Sequence, residues 1–227
     1  MLELDVFTLF PHWFAWLSEE RPVQNALANG LRLGFHSYRD YSPLKHRAVD
    51  DAPFGGGAGM VLRVDVVAAA VEGAYGASLD EVRASRRIVA LDPGGRVLDD
   101  AYARELAASD RLTLLCGRYE GFDARILEHV ATESLSLGGF VVSGGEPAAM
   151  VVCDAVCRLL PGSLGDEQSS EEESFSPALE GALEYPHYTR PEEFRGWRVP
   201  EILLSGHHGR VAEWRRDQAR ARRPDHR

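Results

Sequence analysis

The chain has 227 residues, carries a formal net charge of −10, and is 44% hydrophobic and 26% charged. On the usual scale of about 100–200 residues per domain this is one large domain, or one with a smaller appendage, and it has apolar residues enough for a core. No apolar run approaches the roughly 18 residues of a membrane span, and the start MLELDVFTLF bears Glu3 and Asp5 where a signal peptide needs a basic region, so a cytoplasmic protein with no membrane partner is expected.

The three cysteines, Cys116, Cys153 and Cys157, form neither a Cys-x-x-Cys pair nor a zinc-spaced cluster with histidine, as suits a reduced, metal-free chain. Lys45 is the single lysine among 25 basic residues, so a Gly-Lys-Ser/Thr phosphate loop and most lysine-based covalent chemistry are excluded. With a net negative charge, a nucleic-acid partner has to be met by a local patch of arginine.

In chain order, LELDVFTLF (residues 2–10) alternates apolar and polar residues as a strand, PHWFAWL opens with proline as a helix does, and LRLGFHSY (31–38) alternates again. Residues 41–60 show no periodicity and hold a cluster of glycines at 55, 56, 57 and 59, a long connection of the kind that often carries function. VDVVAAAVEGAYG then reads as a helix, RRIVALD (86–92) as a buried strand and LDDAYARELAAS (98–109) as a helix with an acidic first turn. RLTLLCG is a strand, FDARILEHV a helix, ESLSL and FVVSGG strands, and EPAAMVVCDAVCRLL (146–160) an apolar helix. The alternation predicts an α/β body with a mostly parallel sheet and helices on both faces.

Composition breaks after Leu160. The segment PGSLGDEQSSEEESFSP reads as a linker, and between residues 209 and 227 seven arginines stand against Glu213, Asp217 and Asp225. The expected organisation is a body over 1–161, a flexible linker over 162–186 and a small helical, locally basic domain over 187–227.

Three loops share one design: LDPGGR, LCGRYEGFD and VVSGGEP each place glycine just past a strand, where backbone can approach a ligand without Cβ hindrance. Ligands of open α/β sheets bind at that carboxyl edge. None of the loops is Gly-x-Gly-x-x-Gly, and only Arg118 among them suits a phosphate, so a nucleoside-like cofactor fits better than a dinucleotide.

The strings FGGGAGM (54–60), LCGRYEGFDAR (115–125), SGGEPAAM (143–150), ESFS (173–176), EYPHYTRP (184–191) and VPEILLSGHH (199–208), in this order, resemble the bacterial tRNA (guanine-N1)-methyltransferases of the TrmD family. The resemblance implies a SPOUT fold with a deep C-terminal trefoil knot, and a homodimer that uses S-adenosylmethionine to methylate N1 of the guanosine at tRNA position 37. Pro93, Gly117, Leu137, Gly138, Gly139, Phe140, Val141, Val142, Gly144 and Gly145 would then hold the cofactor. On composition alone Leu137, Phe140 and Val142 are simply strand residues. Gly59 and Tyr119 would meet the substrate, Arg215 and Arg216 the RNA, and Glu120 either the cofactor's positive end or a Mg²⁺ ion.

By the same resemblance the catalytic pair is an arginine at the end of the long helix, Arg158, and a carboxylate fifteen residues later, Glu173, where the family carries aspartate. Composition alone makes Glu171-Glu172-Glu173 a solvated acidic run. Two other functions compete: methylation of a different RNA guanine, and RNA binding without catalysis after the change from aspartate to glutamate.

Overall fold

The computed structural model describes residues 1–164 and 173–222, and these two stretches belong to two separate compact units. In the first unit, strands β1 (Glu3–Thr8), β2 (Arg32–Ser37), β5 (Arg87–Val97), β6 (Arg111–Cys116) and β7 (Glu133–Ser136) form one sheet in the order β2-β1-β6-β5-β7, with every neighbouring pair parallel. A two-stranded ribbon, β3 (Asp50–Asp51) with β4 (Val61–Leu62), closes the base of the glycine-rich loop.

Strand residues alternate between two cores, as a sheet covered on both faces requires. Leu4, Val6, Val89, Leu112 and Leu114 meet a 3₁₀ segment (Pro11–Glu19) and helices α1 (Arg21–Ala28), α4 (Asp100–Ala107) and α6 (Glu146–Cys157). Phe7, Ile88 and Leu115 point the other way, onto α2 (Val64–Tyr75), α3 (Leu79–Ser85) and α5 (Ala124–His129). The expected parallel α/β body is therefore present. It also contains α1 and α3, beyond the elements expected; α3 opens on a capping box between Ser78 and Glu81, and α1 has proline in its first turn.

Two local expectations are corrected. FVVSGG is not a strand: β7 ends at Ser136, and Phe140, Val141 and Val142 lie in an exposed connection to α6. A short apolar run has the same pattern in a buried strand and in a ligand-facing loop. LDPGGR does not follow a finished strand either, because β5 resumes after it: Leu91 and Arg96 both pair with Leu135, and residues 92–95 loop out between them. Gly95 permits this, since a Cβ there would sit 2.4 Å from the backbone nitrogen of Leu135.

Near the amino ends of the central strands lies a buried polar cluster. Asp5 accepts hydrogen bonds from His36 Nε2 (3.0 Å), the Tyr75 hydroxyl (3.0 Å) and the Arg86 guanidinium, and Arg86 also donates to Thr113 Oγ1 at 3.0 Å and Glu3 Oε1 at 2.6 Å. Gly34 on β2 leaves the space: a Cβ there would meet Asp5 Oδ1 at 2.0 Å.

The second unit carries a tight hairpin of β8 (Glu193–Phe194) and β9 (Trp197–Arg198), followed by α7 (Glu201–Leu204) and α8 (His208–Ala221). Part of the linker expected over 162–186, including Asp166, Glu171 and Glu172, and the chain beyond Arg222 lie outside the described residues.

Candidate active site

The carboxyl ends of β5, β6 and β7 open into a cavity of about 310 Å³. Leu91 and Pro93 come from the β5 excursion, and Gly117, Arg118, Tyr119, Glu120 and Phe122 follow β6. Leu137, Phe140, Val141, Val142, Gly144 and Gly145 line it from the β7–α6 connection, and Asp92 beside Pro93 adds a carboxylate to that of Glu120. Sheet topology puts these segments together, since β6 and β7 both pair with β5. A site at the carboxyl edge of a parallel sheet is the general expectation for open α/β folds.

Two backbone contacts fix the walls. Gly145 donates its N–H to the Gly117 carbonyl at 2.7 Å, and Arg118 pairs with Gly144 as an isolated antiparallel bridge. A Cβ on Gly145 would stand 2.8 Å from Cys116 Cα and from Gly117 N, so only glycine allows this approach. Gly145 also precedes α6, whose first residues, Glu146 and Pro147, suit a helix start: proline needs no N–H there, and an acid is favoured by the helix dipole.

Under the walls lies a polar chain of contacts. Thr8, at the end of β1, donates to Glu146 Oε1 at 2.9 Å and accepts the Phe10 N–H at 2.9 Å. Arg118 stretches over the Phe10 ring (4.8 Å to its centroid), donates from its guanidinium to the Ser143 carbonyl at 2.6 Å, and brings Nε to 3.8 Å from Glu146 Oε2. Glu146 is fully buried. Tyr38 and Cys116 beside it stay neutral: burial first, and then neighbouring groups that include the Glu146 charge, push both pKa values well up.

At the mouth, Tyr119 takes a left-handed backbone (φ 62) and bridges to Val61, which brings the glycine-rich loop alongside. Burial, then the adjacent Asp50 carboxylate, raise its phenol pKa, so at neutral pH it is a protonated donor. Gly59 packs against Glu120; a Cβ there would fall 2.3 Å from Glu120 Oε1.

Comparison with known proteins bears on what this cavity serves. The model of the family described as tRNA (Guanine-1)-methyltransferase TrmD matches residues 2–227. The chain belongs to that family. It is 49% identical to a tRNA (guanine-N(1)-)-methyltransferase of Dehalococcoides mccartyi strain 195 over 99% of this chain and 90% of the relative. It is also 50% identical to one of Ruegeria pomeroyi over 97% and 90%, and 46% identical to one of Gloeobacter violaceus over 99% and 97%.

Of the residues the family resemblance points to for the cofactor, Pro93, Gly117, Leu137, Phe140, Val141, Val142, Gly144 and Gly145 line the cavity together. Gly138 and Gly139 lie in the same connection but outside the lining; Gly138 instead exchanges contacts with the Ser136 hydroxyl, its N–H donating at 3.1 Å. Arg158 is the half-buried residue that ends α6, and its carbonyl accepts from the Ser163 hydroxyl at 2.7 Å. Glu173 belongs to the second unit, where it is half-buried at the head of a turn-rich segment: its carbonyl accepts the Ser176 N–H at 3.1 Å, and Phe175 donates to Ala182 at 2.8 Å. Arg215 and Arg216 are exposed on α8, Arg215 lying 4.5 Å over the Tyr185 ring.

Sequence reasoning missed Glu146, Phe122 and the Thr8–Arg118 link. A glutamate opening an otherwise apolar helix was a usable signal for the first; the contact with Thr8, 138 positions away, carried none.

Proposed function

We propose that this protein transfers the methyl group of S-adenosylmethionine to N1 of guanosine 37 in tRNA. The observation that carries the proposal is the glycine-walled cavity at one sheet edge, in a chain whose whole length matches a tRNA (guanine-1)-methyltransferase family. The residues fit the cofactor. Gly144 and Gly145 let the wall close against Arg118 and Gly117 where a Cβ would clash, and Leu137, Phe140 and Val142 offer apolar surface for a purine without any cluster of phosphate-binding cations. When bound, the cofactor supplies a methyl group on a sulfonium sulfur, ready for in-line displacement.

The remaining work falls to protein side chains. Guanine N1 bears a proton and is a poor nucleophile until that proton leaves, and Glu173 is the base that removes it. The charge that develops spreads to O6, where the Arg158 guanidinium stabilises it. Glutamate reaches one methylene further than the family's aspartate, so the turn that carries it must stand further back from N1. It stands half-buried at the head of its turn.

The homodimer belongs to the same proposal, with Arg158 and Glu173 meeting from different subunits. Its support is the exposed apolar surface at the cavity, where Phe140 is 58% and Val141 83% accessible. So do the trefoil knot and the division into a body (1–161), a linker (162–186) and a small helical domain (187–227). The break between the two compact units, which falls inside that linker, favours the division. For Mg²⁺, no group of three or more acidic, histidine or cysteine side chains gathers among the described residues; Glu120 stands as a single carboxylate, which suits an ion held mainly by water and RNA phosphate.

Incubating the protein with S-adenosylmethionine and tRNA transcripts, then analysing nuclease digests by mass, tests the proposal. A single N1-methylguanine at position 37 is expected. Methylation of a ribosomal RNA fragment in preference to tRNA would transfer the activity to another guanine, and tRNA binding without methylation would leave an RNA-binding protein.

A further inference from the structure

Glu146 is the one fully buried acidic side chain among the described residues, and its two oxygens are used unequally. Oε1 accepts from Thr8 at 2.9 Å. Oε2 has no hydrogen-bond partner there, and Arg118 Nε approaches it only to 3.8 Å. A buried carboxylate is expensive unless paired, and removing its cation leaves the charge uncompensated. Neither Tyr38 nor Cys116 can offset it, because burial keeps both neutral.

The dependence runs both ways. Arg118 lines the cavity, so its positive charge faces whatever binds there, and no other acidic side chain stands within ion-pair distance of it among the described residues. Its guanidinium also ties the post-β6 loop to the Ser143 carbonyl at 2.6 Å. Through Thr8, which accepts the Phe10 N–H, the same carboxylate holds the segment whose Phe10 ring supports Arg118 from below. Thr8, Glu146, Arg118 and Phe10 thus close a ring beneath the cavity.

We propose that Glu146 is a positioning residue for cofactor recognition, whose buried carboxylate fixes Arg118 across the two glycine loops and neutralises it, so that the cavity accepts a cationic ligand. The inference rests on the methyl-donor assignment above. S-adenosylmethionine carries a positive sulfonium, whereas the product S-adenosylhomocysteine carries a neutral thioether and is otherwise nearly the same shape. An uncompensated Arg118 repels the first and is indifferent to the second, and the low polarisability of the buried wall beneath it leaves that repulsion less screened than in bulk water.

Calorimetric titration of the intact protein with each ligand separates this role from a merely structural one. Glu146→Gln is expected to weaken S-adenosylmethionine about tenfold more than S-adenosylhomocysteine, which is ~1.4 kcal/mol. The double variant Glu146→Gln with Arg118→Gln, which removes both charges, is expected to restore the wild-type ratio of the two dissociation constants. Equal weakening of both ligands in Glu146→Gln, or failure of the double variant to restore the ratio, would overturn the proposal. Should Glu146→Gln not fold, Arg118→Gln alone carries the test: the carboxylate beneath the cavity then has no opposing charge, and preference for the sulfonium ligand must rise at least about threefold or the proposal fails. Absence of binding by the wild-type protein would instead refute the methyl-donor assignment itself.

Discussion

The N–H of Gly145 reaches the carbonyl of Gly117 at 2.7 Å, with Cys116 Cα only 2.8 Å from where a Gly145 side chain would begin. Two loops separated by a helix and a strand in sequence are thereby held edge to edge, and the distance between them sets the width of the cavity. Gly145→Ala has to push them apart. A stability loss of about 1–3 kcal/mol is expected, as for other overpacked positions, with at least tenfold weaker binding of S-adenosylmethionine. Urea unfolding and calorimetry measure the two effects. Unchanged affinity would mean that the cofactor does not sit between these loops.

Asp5 is one group through which acid should weaken the fold. Burial works against its charge, but the hydrogen bond from His36 and the charge of Arg86, with further help from His36 and Tyr75, outweigh that and hold its pKa below the ordinary value. A carboxyl with a depressed folded pKa contributes stability that is fully present above the unfolded value of about 3.9 and is lost as pH falls through the folded one. Asp5→Asn is therefore expected to cost about 3–5 kcal/mol at neutral pH, the usual cost of breaking a buried ion pair. The gap to wild type should narrow below pH 4. Urea unfolding from pH 7 to pH 3 would count against the cluster if that gap stayed constant.

The alternation of strand and helix was legible because each buried strand sits between turn residues and each long helix shows its own period. What misled was local. Phe140, Val141 and Val142 have the composition of a strand, yet the glycines on either side release them from the sheet, and their apolar surface is spent on the cavity. The glycine loops themselves were legible as a site, since glycine after a strand has a physical purpose there. Glu146 was not: its burial depends on Thr8, and Arg118 reaches it only because β6 lies next to β1. The roles of Arg158 and Glu173 came from family resemblance alone, as no spacing rule links a helix end to a carboxylate fifteen residues on.

Helix α8 exposes Arg215, Arg216 and Arg220. If they meet phosphates, binding releases counterions and affinity falls with salt. Replacing all three with glutamine is expected to lower the slope of log affinity against log salt by about 2, at roughly 0.7–0.9 per phosphate contact. Filter binding of a tRNA transcript across a salt series reads this directly. An unaltered slope would return α8 to an ordinary solvated helix.

Glu173 is the sharpest test of the chemistry. Glu173→Gln keeps size and hydrogen bonding but cannot accept the proton from guanine N1, so turnover should fall on the order of 100-fold or more while cofactor and tRNA affinities stay within about threefold, the signature of an interaction required only in the transition state. Glu173→Asp restores the family's residue on a turn that starts one methylene too far away. Partial activity is expected, since a misplacement near 1 Å can cost about 100-fold. Mixing Arg158→Ala protein with Glu173→Ala protein should recover up to about a quarter of wild-type activity, because random pairing of two-site dimers gives half the molecules one intact site. Full turnover by Glu173→Gln in single-turnover assays would remove this residue as the base, and no recovery on mixing would place both groups in the same subunit.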